Sequence, residues 1–140
     1  MDTKPPDASG TIAGYLILMV TTLAVTPSQQ QSHPSAAKGW AFFNGSSASC
    51  PAGVCSTSTS YNVSSITRNS AGNYTITWTT NFTSANYAVI AQCADNGSGT
   101  FSLALLETVN SSSANWVCVT PTTFTAGDST KTSIVAFGAQ

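Results

Sequence analysis

The chain has 140 residues, enough for one domain of ordinary size plus an appendage, and a domain of about 100 residues can bury a real core. Only 6% of residues are Asp, Glu, Lys or Arg, against about 25% in a usual soluble domain, and the formal net charge is −1. The four cations, Lys4, Lys38, Arg68 and Lys131, are scattered along the chain, which excludes the clustered basic surface that phosphate backbones require and removes nucleic acid from the expected partners.

Low charge does not bring disorder here. Three Trp, four Tyr and six Phe, with many Thr, Val and Ile, suit pleated and half-buried surfaces. Hydroxyls and amides must then wet the surface in place of charges. Such a surface repels its neighbours weakly, so the composition fits a part built into a larger particle.

In chain order, the first element is the apolar run "IAGYLILMVTTLAV", residues 12–25. It is shorter than the roughly 20 residues that cross a bilayer and is broken by Gly14, Thr21 and Thr22, so no membrane span is expected. "MDTKPPDASG" ahead of it carries Asp2 and Asp7 beside Lys4, not the basic start of a signal peptide. As a strand, the run would put Leu16, Leu18 and Val20 on one side and Ile17 and Met19 on the other; as a helix it would be apolar all round. Either form needs covering. The run therefore reads as a docking arm, with Tyr15, Leu16, Leu18, Val20 and Leu23 as the docking residues.

"TPSQQQSHPS", residues 26–35, follows as a hinge in which Pro27 can open one helical turn and Pro34 can end it. It is a linker or a short trimer-forming collar. The chain thus divides into an arm and hinge, 1–36, and a second region, 37–140.

From Lys38 the period changes to two. "GNYTITWTT" (72–80) sends Tyr74, Ile76 and Trp78 one way and Thr75, Thr77 and Thr79 the other. "KGWAFFNG" (38–45), "NYAVIAQC" (86–93), "TFSLALLE" (100–107), "NWVCVT" (115–120) and "TSIVAF" (132–137) repeat the theme, separated by Gly-, Asn- and Ser-rich turns. Six or seven short strands at regular spacing predict an all-β fold, an antiparallel, jelly-roll-like β-sandwich head behind an extended N-terminal arm. Trp78 belongs to the core of that head, while Trp40 and Trp116 start strands and suit either a core or an interface.

No catalytic constellation stands out. His33 is the lone histidine and has no acid near it in sequence; three copies on a threefold axis could hold a metal, but an ordinary hinge residue is the simpler reading. Asp95 and Asp128 fall in turns and Glu107 at a strand end, too sparse a set for a glycosidase pair, and "ADNGSG" lacks the full liganding repeat of a calcium loop. Neither a metal, a cofactor nor an enzymatic activity is expected. Cys50, Cys55, Cys93 and Cys118 are open to two states: a small Cys50–Cys55 loop with a Cys93–Cys118 bridge between strands, or thiols packed as small hydrophobes. The polar loops suggest contact surfaces, with Asp95, Asn96, Ser98, Asn110, Ser111 and Asn115 as candidate receptor-contact residues.

"AVTPSQQQSHPSAAKGWAFFNG", then "YNVSSITRNSAGNYTITWTTNFTSANYAVIAQC" and the closing "VAFG" resemble the C-terminal module of tailed-bacteriophage tail fibres. Arg68 stands where such modules commonly carry Asp, and the Cys- and Ser-rich stretch 46–60 has no counterpart in them. The resemblance implies a homotrimeric virion fibre, spike or collar subunit, assembled in the host cytoplasm. Its arm would bind other virion proteins and its head a host-surface glycan or protein. A capsid decoration protein that stabilises the shell, and a secreted or anchored bacterial adhesin, are the alternatives.

Overall fold

The period-two pattern becomes eight antiparallel strands in two four-stranded sheets. This computed structural model describes residue 33 and residues 35–94 and 102–140. The docking residues Tyr15, Leu16, Leu18, Val20 and Leu23 and the loop residues Asp95, Asn96 and Ser98 lie outside the described residues.

One sheet contains β1 (Ala37–Phe43), β2 (Thr57–Tyr61), β5 (Ala88–Ala94) and β8 (Lys131–Phe137), in the order β2-β1-β8-β5. The other contains β3 (Val63–Ser70), β4 (Asn73–Trp78), β6 (Leu103–Asn110) and β7 (Ser113–Val119), in the order β3-β4-β7-β6. Strands 57–61 and 63–70 exceed the six or seven expected. Both are rich in Ser and Thr, and an alternation of small polar residues carries little hydrophobic signal. The sandwich expectation holds, but its jelly-roll form is corrected. Three sequence-adjacent pairs, β1–β2, β3–β4 and β6–β7, lie side by side in their sheets, whereas the strand order of an eight-stranded jelly roll has one such pair.

Local chemistry explains where the chain turns and where it changes sheet. Asn62 separates β2 from β3 with a left-handed φ of 56°. Its side-chain amide donates to the Lys38 and Thr80 carbonyls at 2.9 and 3.0 Å, and its Oδ1 accepts from Thr80 N at 2.6 Å. One asparagine therefore bends the chain from one sheet to the other and ties that corner to two other segments. In the β3–β4 hairpin, Gly72 has φ 73°, and an added Cβ would meet the Gly127 backbone at 2.6 Å, so only glycine fits. Asn44–Gly45 does not make a two-residue hairpin. Ser46 N donates to Asn44 Oδ1, and two short 3₁₀ turns, Ser47–Ser49 and Pro51–Gly53, extend the connection to β2.

Between the sheets lie Phe43, Ile66, Tyr74, Ile76, Trp78, Trp116 and Ile134, all buried. Tyr74 packs edge-on to Phe43 at a centroid distance of 5.4 Å and lies 5.7 Å from Trp116. Trp116 is fully buried, which resolves it as core. A disulfide joins Cys93 of β5 to Cys118 of β7 and so pins one sheet to the other, while Cys50–Cys55 closes a small loop. Both bridges raised by the sequence are formed.

The strand register gives the sandwich two distinct ends. Ala37, where β1 begins, sits at one end with Asn62, Ala88, Asn110–Ser113 and Phe137. The connections 44–56, 71–72 and 120–130 cluster at the other, as do Ala94 and Leu103, the strand ends that flank residues 95–102.

Candidate functional site

At the far end, opposite the start of β1, an ionic cluster holds the loops. Arg68 Nε and Nη2 donate to Asp128 Oδ1 and Oδ2 at 2.8 and 2.9 Å. Asp128 also accepts from Gly72 N at 2.9 Å and Ser47 N at 3.2 Å. The Tyr74 hydroxyl donates to the Gly45 carbonyl at 2.8 Å, lies 3.3 Å from Asp128 Oδ1 and accepts from Ser129 N. Desolvation pushes the Asp128 carboxyl up, but hydrogen bonds from Arg68, Gly72 and Ser47, with the Arg68 charge, outweigh it and hold the group below its ordinary value. The hydrogen bond to Asp128 raises Arg68 in turn. Burial pushes the Tyr74 phenol up to about 12. Both carboxylate oxygens are thus committed to the scaffold, and the cluster works as a clamp on three connections.

Arg68 is the cation that pairs with the Asp128 turn. Glu107, at a bulge in β6, accepts from Asn73 Nδ2 at 2.8 Å on the outer face of its sheet. Among the described residues no group of three or more His, Cys, Asp or Glu side chains is placed to hold a metal ion.

The described candidate contact residues, Asn110, Ser111 and Asn115, do not converge. Asn110 and Ser111 lie at the end where β1 begins, and the Ser111 carbonyl accepts from Phe82 N. Asn115 is not a loop residue at all. It sits within β7, and its amide donates to Asn73 Oδ1, the Tyr74 carbonyl and Thr75 Oγ1 at 2.9–3.1 Å. Its neighbours Asn73 and Thr75 accept from Asn69 as well, so the centre of the outer face of β3-β4-β7-β6 is an amide and hydroxyl network bonded to itself.

The stretch from Tyr61 to Val89 is likewise used within the fold. Ile66, Tyr74, Ile76 and Trp78 fill the core, Asn62 makes the corner, and Phe82 stacks on Tyr87 with centroids 3.8 Å apart. The Tyr87 hydroxyl accepts from Trp78 Nε1 at 2.9 Å and meets the Asn110 and Ser113 carbonyls. No protein-family model matches this chain, and no curated protein or solved structure is significantly similar to it. No helix among the described residues is long and apolar enough to cross a membrane.

The far end also presents a residue that the sequence did not single out. Phe124 is 67% exposed and has a left-handed φ of 51°, a conformation that a bulky side chain adopts at a cost. Its loop is locked. Phe124 N donates to the Thr120 carbonyl at 2.9 Å, Thr120 N donates to the Thr125 carbonyl at 3.0 Å, and the Thr120 and Thr123 hydroxyls meet at 2.5 Å. A bridge between Val119 and Ala126 closes its base. A strained, exposed aromatic held up by a rigid, hydroxyl-rich loop is a contact site in form. Its signal in "TPTTFTAGD" is a Phe within a turn, where large apolar residues are otherwise absent.

Proposed function

We propose that this chain is a structural, adhesive subunit of a tailed-phage fibre or spike, a homotrimer whose arm docks on the virion and whose head meets the host surface. The observation that carries the reading is the two-ended head. Its β1 strand begins at one end, and its long connections, the disulfide-closed Cys50–Cys55 loop and the Phe124 loop gather at the other. Such an arrangement suits a part held at its base that makes contact at its tip. The resemblance of "HPSAAKGWAFFNG" and "YNVSSITRNSAGNYTITW" to fibre modules supports it. Three weak copies presented together bind by avidity, so a tip with little charge can still hold a surface.

A second reading is favoured by the two disulfides, since such bridges form and persist in oxidising compartments. It makes the chain a secreted or anchored adhesin. In both readings the head is the adhesive part. Adsorption competition tests the first: purified chain added to susceptible cells should slow adsorption of the phage that encodes it. Full-rate adsorption at saturating protein would speak against a host-binding fibre head.

A further inference from the structure

Strand alternation decides which side chains leave the core of β2-β1-β8-β5. On β1, Ala41 and Phe43 are buried, so Trp40 and Phe42 point outward. On β8, Ile134 and Ala136 are buried, so Val135 and Phe137 point outward; on β5, buried Cys93 fixes Ile90 on the outside. The register then aligns Tyr61, Trp40, Val135 and Ile90 in one row across all four strands. Ile90 is 60% exposed, Tyr61 44% and Phe42 40%. Alternation places two charged side chains outward on this face among the described residues, Lys131 at the far rim and the largely covered Lys38 at the bulge where β1 begins.

The opposite outer face shows that this is no general shortage of polar residues. There the corresponding row reads Thr67, Thr75, Asn115, Thr108. The centre of that face is built for water, while Leu103, Leu105 and Val117, which alternation also sends outward there, stand at its β6–β7 corner. The apolar surface also passes round one side of the sandwich. β5 and β6 are edge strands on the same side, the Cys93–Cys118 bridge holding β5 over β7, and Leu103, Leu105 and Leu106 of β6 are all exposed.

Area limits what can cover it. Four strands about 4.8 Å apart and seven residues at about 3.4 Å each give an outer face of roughly 450 Å². A stable two-fold pair needs about 800 Å² from each partner. The face alone falls short, whereas the face and the leucine flank together serve a protomer that touches two neighbours. The surface offers no charge pattern to select a counter-charged partner, and a net charge of −1 leaves little repulsion between copies.

We propose that the outer face of β2-β1-β8-β5 and the Leu103–Leu106 flank are covered by further copies of this chain in a closed ring of three. Each head lays its face on one neighbour and offers its flank to the other, a heterologous contact that closes by rotation. The number three rests on the fibre reading; the choice of surface does not.

The test is the native mass of the full chain by light scattering, with each variant checked by circular dichroism. Wild type, and Thr75→Lys on the polar face, should run at three times 14.4 kDa. Ile90→Lys and Phe42→Lys should stay folded, associate at least tenfold more weakly and fall toward the monomer. A monomeric wild type, or lysine variants that keep the wild-type mass, would overturn the interface. Should a lysine variant unfold, Gln92→Cys keeps the question open to measurement: its thiol should be shielded from a maleimide at assembling concentrations and react freely on dilution. Equal reactivity at both would count against the interface. Trimers that survive Ile90→Lys place the contact elsewhere without touching the fibre reading, whereas failed adsorption competition counts against that reading whatever the mass.

Discussion

Asp128 and Tyr74 are where single side chains govern stability. Because Asp128 is held below its unfolded value, its contribution is complete above the ordinary Asp value near pH 4 and is lost as pH falls through its folded value. Acid unfolding followed by circular dichroism should therefore begin below about pH 4, and Asp128→Asn should flatten that limb. Tyr74 works at the other end of the scale. Its phenol is raised to about 12, so its contribution is complete below pH 10 or so and is lost progressively between there and about 12. Tyr74→Phe should remove this alkaline limb and cost about 1–3 kcal/mol at neutral pH through the orphaned Gly45 and Ser129 groups. An unchanged alkaline profile would contradict the role given to the phenol. At the tip, Phe124→Ala should change stability by no more than about 0.5 kcal/mol, since the ring is exposed. It should nevertheless weaken cell binding about tenfold, a loss readable by flow cytometry with labelled protein. The roles of Trp78 and Tyr74 were legible in "NYTITW" because period two alone predicts them. The partnership of Arg68 and Asp128 was not, because 60 residues separate them and no local pattern announces a clamp.

At the scale of elements, the corner and the bridge decide how the sheets sit together. Asn62 supplies both a left-handed backbone and three side-chain hydrogen bonds. Asn62→Ala should cost about 1–3 kcal/mol in denaturant unfolding, and Asn62→Gly less, since glycine restores the backbone conformation but not the bonds. Equal effects of the two would assign the corner to the side chain alone. The Cys93–Cys118 bridge spans 25 residues, and the loop-closure relation gives it about 3.5 kcal/mol. Removing it with Cys93→Ala/Cys118→Ala should lower Tm by roughly 15–25 °C in a domain of this size. A shift of a degree or two would mean that the packed aromatic core, not the bridge, holds the sheets. The six quoted strands were readable from alternating large and small side chains. Strands 57–61 and 63–70 were not, because "TSTSY" and "VSSITRNS" alternate little but hydroxyls and leave few side chains to count. The exchange of a jelly roll for three adjacent hairpins was equally out of reach, since it follows from where Asn62 bends the chain.

For the whole molecule, the composition anticipated a surface wetted by hydroxyls, and the centre of one outer face is of that kind. The other is not, and its apolar row becomes visible only once the register sets Tyr61, Trp40, Val135 and Ile90 side by side from four separate stretches of sequence. The candidate contact residues were read from turn composition, which identifies loops but not the end of a sandwich at which they emerge. Hence Asn110 and Ser111 lie at the end where β1 begins, and Asn115 is built into a sheet. A head with a base, a tip and one apolar side is the form that the fibre reading needs. Its most direct test is antibody labelling of purified virus particles, using gold-conjugated antibody raised against the full chain and viewed by electron microscopy. The fibre account predicts label confined to the tail, collar or vertex. Label spread over the whole shell, or found on the cell envelope with none on particles, would contradict it.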